Sequence, residues 1–593
     1  MENKVPFIVR FHRWRLRNLS ERRFVVVLSV MVGIVAGIGA TVIKNLVRLT
    51  QNLIHSVTTG QNVENYIYFI LPAIGIFLTV VVIKYIIRNP VRHGIPSVLH
   101  SISVGRGQMK EHNMISSVIT STLTVGFGGS VGLEGPTVVT GASYGSFFAK
   151  VLRLSYRNSM LLLACASAGA MSAIFKAPIA GIVFAVEIIM VDLTTFSLVP
   201  LLLASATGVL TSYFFMGQDV LYPFSVDESF ELTDLPYYIL LGIFAGLVSA
   251  YFTKMYLLVE KVFDHFKSKR VKLGVGGAVL GVLIFVFPAL YGEGYEAINM
   301  CLKGDLSYLF NDSIFYGLND QMWAVLILMA AVILFKVVAT STTFGSGGIG
   351  GIFAPTLFTG VNAGMLFAQF INSTGIKQLN PNNFALIGMS GLMAGVLHAP
   401  LTGIFLVADI SGGYKLFVPL MVTATFAYLT VKAFTSNSVY HIQLAKRKEL
   451  MTHDKDLYVI RMMEVKKLVE TNFRILSPES TLRDLTDAIS KAHRDLFPIV
   501  DKDGILKGMV KMDDVRHLIF KQELYDKVHL KHLMYLPEHF ISTEDSMEQV
   551  IEKFESSDRY NLAVIDNGKY IGFISRARVF SYYRKEMAQF SHD

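Results

Sequence analysis

Six predominantly apolar stretches, near residues 24–47, 68–87, 238–258, 273–290, 322–338 and 415–431, constrain this chain more than any other feature. Each runs for roughly 17 to 25 residues, long enough to cross a ~30 Å hydrocarbon core as a helix. Four further apolar segments, near 114–125, 160–173, 177–190 and 399–410, are shorter, and most are interrupted by glycine or proline. Such segments belong inside a bundle, where protein rather than lipid satisfies the loosened backbone. Composition agrees, because 52% of the 593 residues are hydrophobic and only 17% are charged, against about a quarter in an ordinary soluble chain. The charges are unevenly distributed, which argues against a large soluble helical protein.

Residues 1–23 form a basic segment with Lys4, Arg10, Arg13, Arg15, Arg17, Arg22 and Arg23 against Glu2 and Glu21. The positive-inside rule places this end in the cytoplasm, and the apolar stretch that follows is too long for a cleavable signal peptide. Anionic lipid headgroups account for the formal net charge of +9, so no nucleic-acid partner is implied. Cys165 and Cys301 supply neither a disulfide framework nor a zinc pattern. His112, His398 and His441 are isolated and lack metal-ligand spacing. No phosphate-binding G-x-x-x-x-G-K-[ST] and no Ser/His/Asp constellation is present. The chain is therefore expected to be no enzyme and to require no cofactor.

Residues 24–445 carry an internal duplication. GLEGPTVVTGASYG (132–145) aligns with GIFAPTLFTGVNAG (351–364), which pairs Gly132 with Gly351, Pro136 with Pro355, Thr137 with Thr356, Gly141 with Gly360 and Gly145 with Gly364. Downstream, APIAGIVFAVE (177–187) aligns with APLTGIFLVAD (399–409), placing Glu187 on Asp409. Two blocks in one order define repeat halves near 24–216 and 238–433. Duplicated membrane halves with Gly/Pro-broken segments at matching positions point to a site between them, near the bilayer midplane.

An anion suits that site. A glycine-rich turn entering a helix leaves the first backbone N–H groups without intrahelical partners and carries partial positive charge. A proline early in the helix loses nothing there. Two such starts, GLEGPT and GIFAPT, aimed at one point hold a small anion without a cationic side chain. A carboxylate among those N–H groups occupies the anion's position when ionised and vacates it when protonated. Glu134 is read as this gate, since intramembrane ionisable groups are functional by default.

On these residues the chain resembles the CLC family of anion channels and anion/proton exchangers. The resemblance extends to a C-terminal CBS pair. It implies an all-α polytopic membrane domain of two inverted repeats, followed by an α/β CBS module. The gating motif G-[KR]-E-G-P is matched by Gly132, Glu134, Gly135 and Pro136. The G-x-F-x-P motif is matched by Gly351, Phe353 and Pro355, with Ile352 and Phe353 implied as backbone donors to the central anion. Tyr440 falls where the family places an anion-coordinating hydroxyl. The resemblance also implies a homodimer with one pathway per subunit.

Three departures bear on mechanism. The family's G-S-G-I-P reads RHGIP here, so Gly94, Ile95 and Pro96 match while His93 replaces the serine. Chloride stays the default anion, with nitrate, bicarbonate and fluoride open. Leu133 replaces the usual basic residue before the gate. Ile188 stands where exchangers often carry an inner glutamate, and isoleucine relays no proton. That favours channel-like or weakly proton-coupled conduction. The alternative is an exchanger with a non-standard proton route. Glu187 is expected to be hydrogen-bonded structurally within its helix, and Asp409 in the second half likewise.

Residues 446–593 are charged and carry a second repeat: FPIVD at 497–501 and LAVID at 562–566, each with a strand–turn–strand–helix pattern. The implied copies are CBS1 near 466–520 and CBS2 near 533–584. Adenine nucleotide is the candidate ligand there, but neither G-x-x-[ST]-x-x-D site is complete. The first copy has Asp514 but Lys511 at the hydroxyl position, and the second has Ser575 but Arg578 at the aspartate position. A nucleotide-sensing membrane protein is therefore the second alternative. The expected setting is a bacterial inner or plasma membrane, with the N-terminus and CBS pair cytoplasmic.

Overall fold

The computed structural model describes residues 15, 17–58, 64–92, 94–103, 105, 107–189, 195–217, 231–319, 321–411, 413–446, 460, 463–492, 494–557 and 559–591. The chain divides into two compact units, Met1–Leu450 and Met451–Asp593.

Helices build the first unit. Its first half contains α1 (Glu21–Thr58), α2 (Glu64–Val81), α3 (Gly94–Ser103), α4 (Asn113–Gly126), α5 (Glu134–Val151), α6 (Tyr156–Phe175), α7 (Pro178–Glu187) and α8 (Thr195–Met216). The second half contains α9 (Leu235–His265), α10 (Lys269–Val286), α11 (Tyr295–Leu302), α12 (Met322–Gly345), α13 (Phe353–Thr374), α14 (Pro381–Leu397), α15 (Pro400–Ile410) and α16 (Phe417–Lys432), and α17 (Val439–Lys446) follows. Among the described residues six spans are long and apolar enough to cross a bilayer: Glu21–Ser56, Phe69–Ile87, Tyr156–Phe175, Phe196–Met216, Leu232–His265 and Met322–Gly345.

That set differs from the sequence expectation in four places. The stretch near 273–290 falls in the 18-residue α10, whose first turn carries Lys269, Arg270 and Lys272, and it is not among these spans. Phe196–Met216 is a full-length span that its serines, threonines and Pro200 disguise. The stretch near 415–431 forms only the 16-residue α16, about 24 Å long and short of the hydrocarbon core. The segment near 160–173 belongs to a continuous 20-residue helix, α6, whose apolar window is 89% buried. It is enclosed because it is surrounded, not because it is broken.

Small residues bring the helices together. A Cβ on Gly208 of α8 would collide with the Gly169 carbonyl oxygen of α6, so the two backbones touch directly. The repeat glycines do equivalent work: Gly141 faces Ala166 and Ala170 of α6, and Gly360 faces Gly388 and Met389 of α14.

The inverted relation shows in reciprocal bonds. Glu187, ending α7, accepts from the Leu401 and Thr402 N–H groups at 3.1 and 2.7 Å and from the Thr402 hydroxyl at 2.7 Å, capping the start of α15. Asp409, near the end of α15, accepts from the Ile179 and Ala180 N–H groups at 3.0 and 3.2 Å, capping α7 in return. The roles are structural, but each carboxylate serves the opposite half rather than its own helix.

The second unit holds α18 (Val465–Leu468), α19 (Leu482–Lys491), β1 (Leu496–Val500), β2 (Leu506–Lys511), α20 (Met512–Ile519), β3 (Phe540–Ser542), α21 (Met547–Ser557), β4 (Asn561–Asp566), β5 (Lys569–Ser575) and α22 (Arg576–Ser591). The hairpins β1–β2 and β4–β5 are antiparallel, and β3 pairs parallel to β4. Both hairpins shift register at the same place, Ile499/Val500 and Val564/Ile565, so the duplication extends to a shared irregularity. Ala563 and Phe573 of one copy bury against Leu496 and Met509 of the other.

Removing a reciprocal cap leaves helix-start donors unsatisfied in a buried setting. Glu187→Ala and Asp409→Ala are each expected to cost about 1–3 kcal/mol, read as a lower melting temperature in detergent, whereas Glu187→Gln, which keeps an acceptor, should lose less.

Candidate anion-binding site

The two glycine turns meet. Gly132 and Gly351 form an antiparallel bridge and exchange both backbone bonds, Gly132 N–H to Gly351 O at 2.8 Å and Gly351 N–H to Gly132 O at 2.7 Å. Matched residues pairing with each other antiparallel is what a local twofold axis produces. The symmetry continues upstream, where the Ile349 N–H donates to Thr124 Oγ1 at 3.0 Å and the Ser130 N–H to Thr343 Oγ1 at 3.3 Å. Just beyond the bridge, Leu133 caps α5 and Ile352 caps α13, so the helix starts at Glu134 and Phe353 lie side by side. Thr137 and Thr356 hydroxyls bond back to the Leu133 and Ile352 carbonyls at 2.8 and 2.7 Å. Pro136 and Pro355 fall in the first turns, where no N–H is required.

A third helix start joins them. Gly94 opens α3 at φ +40°, a left-handed conformation suited to glycine, and a Cβ there would lie 3.3 Å from Gly350 O and 3.5 Å from Gly135 Cα. On the other side, Gly135 is so close to Gly351 and Gly94 that an added Cβ would lie 3.1 Å from each Cα. Ile95 and Pro96 are buried behind Gly94. His93 lies outside the described residues. Tyr440 is buried on α17, which packs on α3 and α14, and it is within electrostatic reach of Glu134.

Glu134 is wholly buried. Its carboxylate lies over Gly132, where any Cβ would strike Oε2, and faces the N–H groups of Glu134 itself and of Ala354 in the first turn of α13. Oε1 accepts from the Tyr295 hydroxyl, while Oε2 makes no hydrogen bond of ordinary geometry among the described residues. The side chain thus occupies the space between the two helix starts. Each helix end favours a negative charge by roughly 0.3–2 kcal/mol, and a buried oxygen left unpartnered costs about 1–3 kcal/mol. These terms are of similar size, so the carboxylate is held there but remains displaceable.

Sequence reasoning missed four residues around Glu134. Glu293 Oε1 accepts the Leu133 N–H at 3.1 Å, one residue before Glu134. Lys336, fully buried in α12, donates to the Leu290 and Gly292 carbonyls at 3.2 and 3.1 Å, lies over the Phe358 ring and is within reach of Glu293. Lys44 of α1 is within reach of both Glu293 and Glu134. Tyr295 opens α11 and holds Glu134. Lys336 inside an apolar 24-residue helix was the readable signal, because a charge there needs a partner. Glu293 and Tyr295 line a cavity of about 660 Å³ that also reaches Gln51 and His55 near the end of α1.

A model of the voltage-gated chloride channel family matches residues 74–432, and CBS domain models match 465–521 and 530–585. This chain belongs to the CLC family. Curated relatives include a ClcB-like chloride channel protein of Ralstonia nicotianae, 29% identical over 66% of this chain and 89% of that one. Chloride channel protein CLC-f of Arabidopsis thaliana is 26% identical over 68% of this chain and 57% of its own length. Among solved structures, a slow cyanobacterial Cl−/H+ antiporter superposes with a TM-score of 0.61 at 22% identity, covering 72% of this chain and 99% of that one. A eukaryotic CLC transporter superposes with a TM-score of 0.61 at 19% identity, over 94% and 99%. At these identities the superpositions establish the shared CLC fold.

Within this CLC fold, Ile188 caps the end of α7 and is buried. Phe353 packs its ring between Phe175 and Phe184. In the CBS unit, Lys511 and Ser575 end β2 and β5 of their respective copies. Both polar groups are engaged internally: Lys511 pairs with Asp513 at 3.3 Å, and the Ser575 hydroxyl donates to Glu470 at 2.7 Å. Glu470 also pairs with Arg494. Asp514 and Arg578 are exposed.

Removing the Glu134 side chain should free the space between the helix starts. Glu134→Ala crystals grown in bromide should show anomalous density between Gly132 and the Ala354 N–H, at higher occupancy than in the wild type. Equal density in both would mean the carboxylate does not compete for that position.

Proposed function

We propose that this protein conducts a small inorganic anion, chloride by default, through a pathway in each subunit of a homodimer, with Glu134 as the gate. The observation that carries this reading is the Glu134 carboxylate lying between the paired helix starts of α5 and α13, over Gly132 and facing the Ala354 N–H. Ionised, the side chain takes the place that an anion needs. Protonated, it loses its attraction to the helix ends, swings away and admits an anion to the donors of Ile352 and Phe353, with the Tyr440 hydroxyl as a further donor. The names of relatives as chloride channel proteins support chloride as the cargo.

Conduction is channel-like, or at most weakly proton-coupled. Ile188 offers no carboxylate for an inner relay. The basic segment 1–23 and the CBS pair are cytoplasmic, in a bacterial inner or plasma membrane. On that orientation the cavity near the end of α1 opens outward, because α1 is 38 residues long and its roughly 57 Å carry it across the membrane.

Purified protein in liposomes, with a chloride electrode and a pH electrode, tests the reading. Anion efflux should rise as external pH falls, with little accompanying proton movement. Glu134→Gln should conduct at a high rate with no pH response. Proton movement in fixed ratio to chloride would instead assign the exchanger with a non-standard proton route. Absence of flux, together with ATP binding to the CBS pair, would assign the nucleotide sensor.

A further inference from the structure

Beside the gate stands a second carboxylate that the anion pathway does not use. Glu293 sits in the turn Gly292–Gly294, half-buried, with one oxygen on the Leu133 N–H and its body on the wall of the cavity described above. Tyr295, two residues on, lines the same cavity and places its hydroxyl on Glu134 Oε1. One short turn therefore carries both a carboxylate on the cavity wall and the hydroxyl that reaches the buried gate.

The charges around the cavity decide what travels along it. Glu293, Glu296 and Asp312 line it, with the phenols Tyr291, Tyr295 and Tyr308, and His55 is the cationic candidate among the described lining residues. Three carboxylates repel an approaching anion and raise the local proton concentration. Behind Glu293, Lys44 from α1 and Lys336 from α12 act on it, and Glu134 from α5 opposes it; Arg48 and Lys176 act in turn on Lys44. The lysines attract the ionised form of Glu293 and the nearby Glu134 charge opposes it, so the two carboxylates compete for protons.

We propose that Glu293 and Tyr295 form a proton relay from the outer cavity to Glu134, separate from the anion pathway. Glu293 takes a proton from cavity water. The Tyr295 hydroxyl passes its own proton to Glu134 Oε1 and is reprotonated from Glu293 through water of the cavity that both side chains line, and Glu293 returns to its ionised form. One proton has then moved from the cavity to the gate, and no other group has changed. Running the sequence backwards closes the gate without sending a proton across the membrane, so proton-controlled opening needs no carboxylate at Ile188. The relay rests on the reading of Glu134 as the gate.

The test is the side-dependence of the pH response in oriented liposomes or patches. After a step to acidic external pH, anion flux in Glu293→Gln should rise about tenfold more slowly than in the wild type or worse; Gln keeps an acceptor for the Leu133 N–H but does not titrate. Tyr295→Phe should show the same slowing. After an acid step on the internal side, the relaxation of both variants should match the wild type, a difference that a merely structural defect would not produce. Glu293→Asp, which retains a titratable group, should recover much of the external response. A wild-type external response in either Glu293→Gln or Tyr295→Phe overturns the relay, as does equal slowing from both sides. If Glu134→Gln itself keeps its pH response, it is the gate reading that has failed.

Discussion

Two backbone hydrogen bonds between Gly132 and Gly351 hold the centre of this molecule together. They bring two helix starts side by side, which concentrates partial positive charge at one place inside the membrane domain. Such an arrangement is unfavourable unless something negative lies between the ends. Glu134 meets that need from within the chain, and an anion would meet it from outside. On the proposed reading, the carboxylate and the anion are thus two occupants of one electrostatic well. Glycine is required here for a steric reason, because a Cβ on Gly351 would lie 2.8 Å from the Gly135 nitrogen.

The same economy recurs further from the centre. Glu187 and Asp409 each cap a short helix of the opposite half, and Thr124 and Thr343 each serve a backbone N–H across the axis. Polar groups that a single half would leave unsatisfied in an apolar setting are satisfied by the other half. Neither repeat is complete alone, which is why the duplication reads as architecture and not only as ancestry. The lysines follow a different logic. Lys336 donates to the Leu290 and Gly292 carbonyls, so it supports the turn that holds Tyr295 and leaves the place between the helix starts to backbone dipoles.

Much of this was legible from residue order. Gly132, Glu134, Pro136, Gly351 and Pro355 announce themselves because glycine and proline carry backbone meaning that other residues do not, and because they recur in register. Glu293 did not announce itself. It lies about 160 positions from Leu133, in a turn whose sequence, YGEGYE, reads as an ordinary polar loop between helices. The span at Phe196–Met216 was hidden by Pro200 and hydroxyl side chains, whose cost in a helix disappears when neighbours and the preceding carbonyls accept their hydrogen bonds. Ser575 and Lys511 were visible as near-matches to a phosphate site, but their internal partners Glu470 and Asp513 were not.

Sequence by itself determined the membrane class, the two duplications and the position of a carboxylate at the first glycine turn, since hydropathy, glycine and proline placement and an acidic residue among glycines are properties of local order. Tertiary structure decided which helix each carboxylate caps, which hydroxyl holds Glu134, and that a second glutamate shares its surroundings. Those depend on contacts between segments far apart along the chain, and the energy of a buried charge is set by whatever the fold places around it.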